Sequence, residues 1–256
     1  NCMTTGWGGH VTQGIAANWR MMGSNKIAAW SPDPILPQFT RGAPTDFRRG
    51  WGVKTLFQPY PHLKLGIHRP GVTGAAQHPD RLETLRARHW VNGSGLRLPP
   101  GFMADGWRGS AATHGYALAE IAHFAVQSRE AYLLRGDRGN VNLKQGKYDA
   151  TYFAVFDRNE VALPDLSAWS GRIAALMEDW LTDRTLRCLH DQSRDWHRTR
   201  LAQLRATPGF AAKMAELDRA ADTPIPALDD LLFTQPLAPE GKALVARMRA
   251  AGIPDR

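Results

Sequence analysis

Where glycine and proline fall constrains this 256-residue chain more than any other feature, because the 24 glycines and 17 prolines crowd its first half and leave no room there for a long helix. The apolar runs between them are short. Gly14–Met22 reads as one strand, closed by Gly23-Ser24-Asn25. Gly52–Gln58 alternates apolar and polar residues as a half-buried strand does, and Leu63–His68 alternates again after the Pro59-Tyr60-Pro61 turn, so the two are expected as a hairpin or as neighbours. Residues 31–50, with four prolines and three arginines, are expected as loop. So is most of 70–114, apart from one short helix around 80–88.

Beyond residue 115 the pattern changes. Ala119–Val126 is read as a strand because Ser128 suits an N-cap and Glu130 the first turn of a helix running about 129–136. Ile173, Leu176, Met177, Trp180 and Leu181 recur at helical spacing, as do Leu186, Leu189, Trp196, Leu201 and Leu204, so two or three amphipathic helices are expected over 166–220 with a break at Pro208-Gly209. A short helix near 240–250 is expected in the proline-rich tail. The fold class is α/β, with a mixed sheet and flanking helices over 1–160 and a helical extension over 161–256.

Composition narrows the function classes. No apolar run approaches the length of a membrane span, and the first residues lack the basic-then-apolar order of a secretory signal. Cys2 and Cys188 match no metal spacing and too few cysteines exist for a disulfide framework, which points to the cytoplasm. The net charge of +8 calls for an anionic partner: nucleic acid, an acidic glycan, a nucleotide sugar or the membrane surface. Nucleic acid is disfavoured, since the lysines and arginines are scattered and no reader motif is present. Nine tryptophans lean towards carbohydrate, on whose faces aromatic rings stack. The GxxxxGK[ST], HExxH, GxSxG and CxxC motifs are absent, and so is any Asp-x-Asp. His190 and His197 lie two helical turns apart, about 10.5 Å by helical rise, too far to share one ion. His68 and His123, each at or in an expected strand beside polar or cationic residues, are the more interesting pair.

Seven strings then point to a family. They are Ala17–Ser24, Gln38–Arg41, Trp51–Phe57, Gly66–Pro70, His123–Tyr132, Asp137–Asn140 and Tyr152–Asn159. In order and rough spacing over about 14–160 the chain resembles the family-2-like glycosyltransferases of alphaproteobacteria. The resemblance implies the acceptor-side part of an A-type glycosyltransferase fold, acting in polysaccharide synthesis with a nucleotide sugar as donor and a cell-surface glycan or lipid-linked acceptor, at or near the membrane surface. It also implies a divalent cation, Mn or Mg, held by an Asp-x-Asp just before the strand at Gly14. Only 13 residues precede that strand and none is acidic, so the donor-binding region is expected to be missing from this chain, and activity to be weak or absent. By the same resemblance His123, then His68, would complete the metal shell. Lys54, Arg69 and Arg135 would contact phosphates or orient that histidine, and Trp19, Arg20, Trp51, Phe124 and Ser128 would serve the sugar site. Phe124, Gln127 and Arg135 depart from the family's usual tyrosine, basic residue and lysine. No acid stands clearly as the catalytic base, although Asp105 and Glu120 are candidates. The alternative is a non-catalytic module that binds an anionic glycan.

Overall fold

The computed structural model describes residues 12–105, 108–139 and 148–228; the expected helix near 240–250 lies outside them. The first elements are β1 (Gly14–Met21), α1 (Ile35–Gln38), β2 (Arg41–Gly42), β3 (Val53–Phe57), β4 (Leu63–Lys64) and β5 (Gly71–Val72). Next come α2 (Pro79–Arg86), β6 (Trp90–Asn92), α3 (Pro100–Asp105), β7 (Ile121–His123), α4 (Arg129–Arg138) and α5 (Ala150–Phe156). β8 (Val161–Ala162), α6 (Ser170–Trp180), α7 (Arg184–Arg205) and α8 (Phe210–Ala221) complete the order. The class is mixed α/β, as expected. Two compact units interleave along the chain: the first takes residues 12–20 and 45–123, the second 21–44 and 124–228.

In the first unit β1 is the central strand, antiparallel to β3, parallel to β6 and paired with β7. A strand with neighbours on both sides and cover on both faces loses its polar alternation, and β1 is buried at Ala16, Ala17 and Asn18 in succession. Ala16, Val53, Val72, Leu85, Trp90, Leu98 and Phe102 form one apolar core, with Phe57, Tyr60 and Leu82 packed against it. β6 falls where loop is expected. It is three residues long and buried at every position, so it offers no alternation to read. The expected Leu63–His68 strand is reduced to Leu63–Lys64, which pairs with Gly71–Val72 and not with β3. Its remaining apolar residues, Leu65 and Ile67, are exposed, so their alternation marks no buried face.

In the second unit α4 begins where Ser128 caps it, the Ser128 Oγ accepting from the Ala131 N–H at 3.2 Å. Glu130 in the first turn is buried. Its carboxylate takes both Arg205 donors at 2.7 Å and the Trp30 N–H at 2.9 Å, and this bonding to Arg205 holds it below the ordinary carboxylate range. Tyr132, Phe153, Ala154, Val155, Phe156, Leu201 and Leu217 are buried. The residues after α5 clasp those after β1. Asp157 accepts from the Ser24 N–H and hydroxyl, Asn159 accepts from the Asn25 N–H, and the Arg41 guanidinium donates to the Asn159 carbonyl. The helices over 166–220 form as expected, and Gly209, at a left-handed φ of 87°, breaks α7 from α8. Their apolar stripes are not all covered, however: no residue of α6 is buried, and Trp169, Leu176, Trp180, Leu186, Leu189 and Trp196 are all exposed. No described helix is long and apolar enough to cross a membrane.

Candidate functional site

Three of the residues singled out in the sequence meet in the first unit. Trp19 leaves β1 as a half-buried side chain, and its indole stacks on the His123 ring at 4.5 Å between centroids and 20° between planes. The His68 ring tilts against the same indole at 5.2 Å. Gly52 makes room for this arrangement, since a Cβ there would sit 2.7 Å from the Trp19 ring. His68 is fixed by its backbone as well as its ring. The Thr55 hydroxyl donates to its carbonyl at 3.1 Å, its Nδ1 lies 3.3 Å from the Val53 carbonyl, and Lys54 Nζ donates to the neighbouring Ile67 carbonyl at 2.5 Å.

Burial, and then the Lys54 charge, lower the His68 pKa from its ordinary 6.5, so its imidazole is neutral at physiological pH. A ring donating from Nδ1 to the Val53 carbonyl leaves Nε2 as a lone-pair acceptor. The sign of the linkage follows: the unfolded chain binds this proton more readily, so stability falls as pH drops from 6.5 towards the lower folded value. We expect the His68 ring protons to titrate below 6.5 by NMR. Lys54→Met should move that midpoint upward, and an unmoved midpoint would separate the lysine from the histidine.

The other expected residues are placed as follows. Arg20 donates twice to one Glu120 oxygen, at 2.6 and 3.0 Å, and lies over the Tyr116 ring at 4.7 Å. Trp51 stacks on His114 at 4.4 Å and 14°, its Nε1 donating to the Thr45 carbonyl. Arg69 bonds the adjacent Pro70 carbonyl at 3.4 Å. Of the two acids, Asp105 ends α3 and Glu120 is held by Arg20. Ser128 and Arg135 belong to the second unit. There Ser128 is the N-cap already described, and Arg135 donates to the Ala125 carbonyl at 2.5 Å beneath the Tyr148 ring.

The supports of this site were not singled out in the sequence. Asn18, 1 % exposed, bridges the Trp51 carbonyl and the Gly115 N–H at 2.9 Å each, and so ties β1 to two loops. The Tyr116 hydroxyl, its pKa raised chiefly by burial, donates to the Trp19 carbonyl at 3.0 Å. Asn18 carried a readable signal as one of two polar residues, with Arg20, inside an otherwise apolar strand; Tyr116 and His114 carried none. Close by, the Gly109 N–H donates to the Trp51 carbonyl. The preceding Arg108 is pushed down to about 10 by burial and by the charges of Arg49 and Arg48.

Comparison of the chain with protein-family models, curated proteins and solved structures returns no match. The site therefore stands on its own chemistry. It offers an indole, two imidazoles and a set of arginines around a buried, paired strand. Among the described residues no three His, Cys, Asp or Glu side chains gather to hold a metal ion.

Proposed function

We propose that this protein is the acceptor-side part of a glycosyltransferase that moves a sugar from a nucleotide-sugar donor to a glycan or lipid-linked acceptor. One observation carries the reading. Trp19, His68 and His123, drawn from three separate strings of the resemblance, lie together around one indole. Transfer of a sugar leaves a nucleotide diphosphate, whose developing charge is stabilised by fixed donors and cations. Lys54 beside His68, and the Arg48, Arg49 and Arg108 group beside Trp51, supply positive charge of that kind. The divalent cation, if held by carboxylates of the donor region, would supply Lewis acidity there. The glycosyltransferase-type sheet belongs to the same proposal, with β1 as its central strand.

The test is donor hydrolysis by the protein bearing the region that the resemblance puts ahead of Gly14, roughly 80–120 residues, about half a domain. Manganese-dependent release of uridine or guanosine diphosphate is expected, falling at least tenfold in His123→Ala with the fold retained. Hydrolysis that ignores both the cation and His123 would remove the reading. This chain by itself should show no manganese-dependent rise in melting temperature with either diphosphate.

A further inference from the structure

The second unit holds a cleft of about 290 Å³, apart from the Trp19, His68 and His123 group of the first unit. Trp30, Tyr132, Arg135, Arg138, Trp196 and His197 are among the residues lining it. Its aromatic groups are ordered against one another: Trp30 and His197 stack at 5.6 Å and 9°, and Trp196 meets His197 edge-on at 5.2 Å and 84°. His197 is held in turn by its Nδ1 against the Ser193 carbonyl at 2.8 Å. Trp196 is 50 % exposed, so one side of its ring is open to a ligand.

The charge of the cleft is one-sided. Among the described residues no Asp or Glu lines it, whereas two guanidiniums do. Arg135 is fixed by the Ala125 carbonyl and the Tyr148 ring, neither of which neutralises it. Arg138, at the exposed end of α4, forms no ion pair among the described residues, although Asp137 beside it is taken by Arg200. A smaller cleft of about 190 Å³ adjoins, sharing Trp30, Gln127 and His197. It is lined by hydroxyl and amide groups and by Arg194, whose Nε is buried without a hydrogen-bond partner among the described residues. Its one carboxylate, Asp33, is bonded by the Ser31 hydroxyl.

Guanidiniums not neutralised by a carboxylate recognise phosphate, and open indole faces recognise the apolar face of a sugar ring. The larger volume sits at the low end for small-molecule sites, which suits one sugar with its phosphate and not a longer glycan. We propose that this cleft binds a phosphorylated monosaccharide, with the phosphate on Arg135 and Arg138 and the ring against Trp196. The polar groups of the adjoining cleft would receive a second sugar unit or the far hydroxyls. The site rests on the second unit alone and requires no transfer activity.

Glucose 1-phosphate is the probe, titrated into the whole chain by calorimetry and tryptophan fluorescence beside glucose and inorganic phosphate. Saturable binding of glucose 1-phosphate, tighter than either fragment, is expected. Arg138→Gln should weaken it at least tenfold, the usual worth of a hydrogen bond to a charged group, and Trp196→Ala should weaken it comparably. Both positions are exposed, and unchanged melting will show that each variant folds. Absence of saturable binding at millimolar probe overturns the site, as does wild-type affinity in Arg138→Gln. Equal binding of inorganic phosphate and glucose 1-phosphate, unaffected by Trp196→Ala, overturns the sugar and leaves an anion site only. Donor hydrolysis does not enter this measurement, so failure of the transferase reading and failure of this site are separate results.

Discussion

Asp157→Ala should lower the stability of the protein by about 3–4 kcal/mol, read as a fall in the urea midpoint with little change in slope. The carboxylate is 1 % exposed and serves three donors at once: the Ser24 N–H at 2.5 Å, the Ser24 hydroxyl at 3.2 Å and the Asn159 amide at 3.0 Å. Hydrogen bonds to a charged acceptor each contribute about 1.5–3 kcal/mol, and their sum here is less than additive because they share one group. Alanine removes the acceptor and also leaves the Ser24 N–H, on a residue with no exposed surface, without a partner. Asp157→Asn keeps one acceptor oxygen and should lose about half as much. A loss below about 1 kcal/mol in the alanine variant would mean that water or a rearranged loop replaces the carboxylate.

Gly93→Ala should be equally damaging for a different reason. The residue follows β6, and its carbonyl accepts from the Leu118 and Ala119 N–H groups at 2.8 and 2.9 Å, so the loop that leads to β7 lies directly against it. A Cβ placed there would meet the Ala119 and Gly115 carbonyl oxygens closer than real Cβ atoms approach. Both obstacles are backbone and cannot swing aside like a side-chain tip. Overpacking of this kind costs about 1–3 kcal/mol when the surroundings yield. Here yielding means parting the loop whose Gly115 N–H reaches Asn18, so about 3 kcal/mol or more is expected in thermal or denaturant unfolding. If Gly93→Ala melts within two degrees of the parent chain, the loop is not seated as described.

What could be read in the sequence follows the range of the interaction involved. Ser128 was legible as a cap because its bond reaches only to Ala131, and Gly209 as a break because the requirement lies in its own backbone. β1 and β3 were legible through their own pattern. β6 was not, since what makes it a strand is β1 beside it and the core around Trp90. The site shows the same division. His68, His123 and Trp19 could each be suspected from neighbouring residues, but their meeting depends on the register that sets Ala17 opposite Lys54 and Asn18 opposite Val53. The stacking of Trp51 on His114 depends on loops whose course no local pattern reports. On α6 and α7 the period correctly marked an apolar stripe. A period shows which residues share a face, and not whether anything covers it, which is why the expected amphipathic helices form while Trp180 and Leu189 are exposed.

The interleaving of the two units also fixes an order of events during synthesis. Met21, Met22, Phe39 and Ala43 emerge well ahead of the residues after 124 that complete the second unit in which they are buried. The acceptor that Ser24 requires follows it by 133 residues, an interval of roughly 7–27 s at ordinary ribosomal speed. Residues 45–123 leave the ribosome inside that interval and can close around β1 while the 21–44 segment still waits. The nascent chain therefore carries an apolar loop without its native partners throughout that interval, and this is the stage at which a holding chaperone would have something to bind.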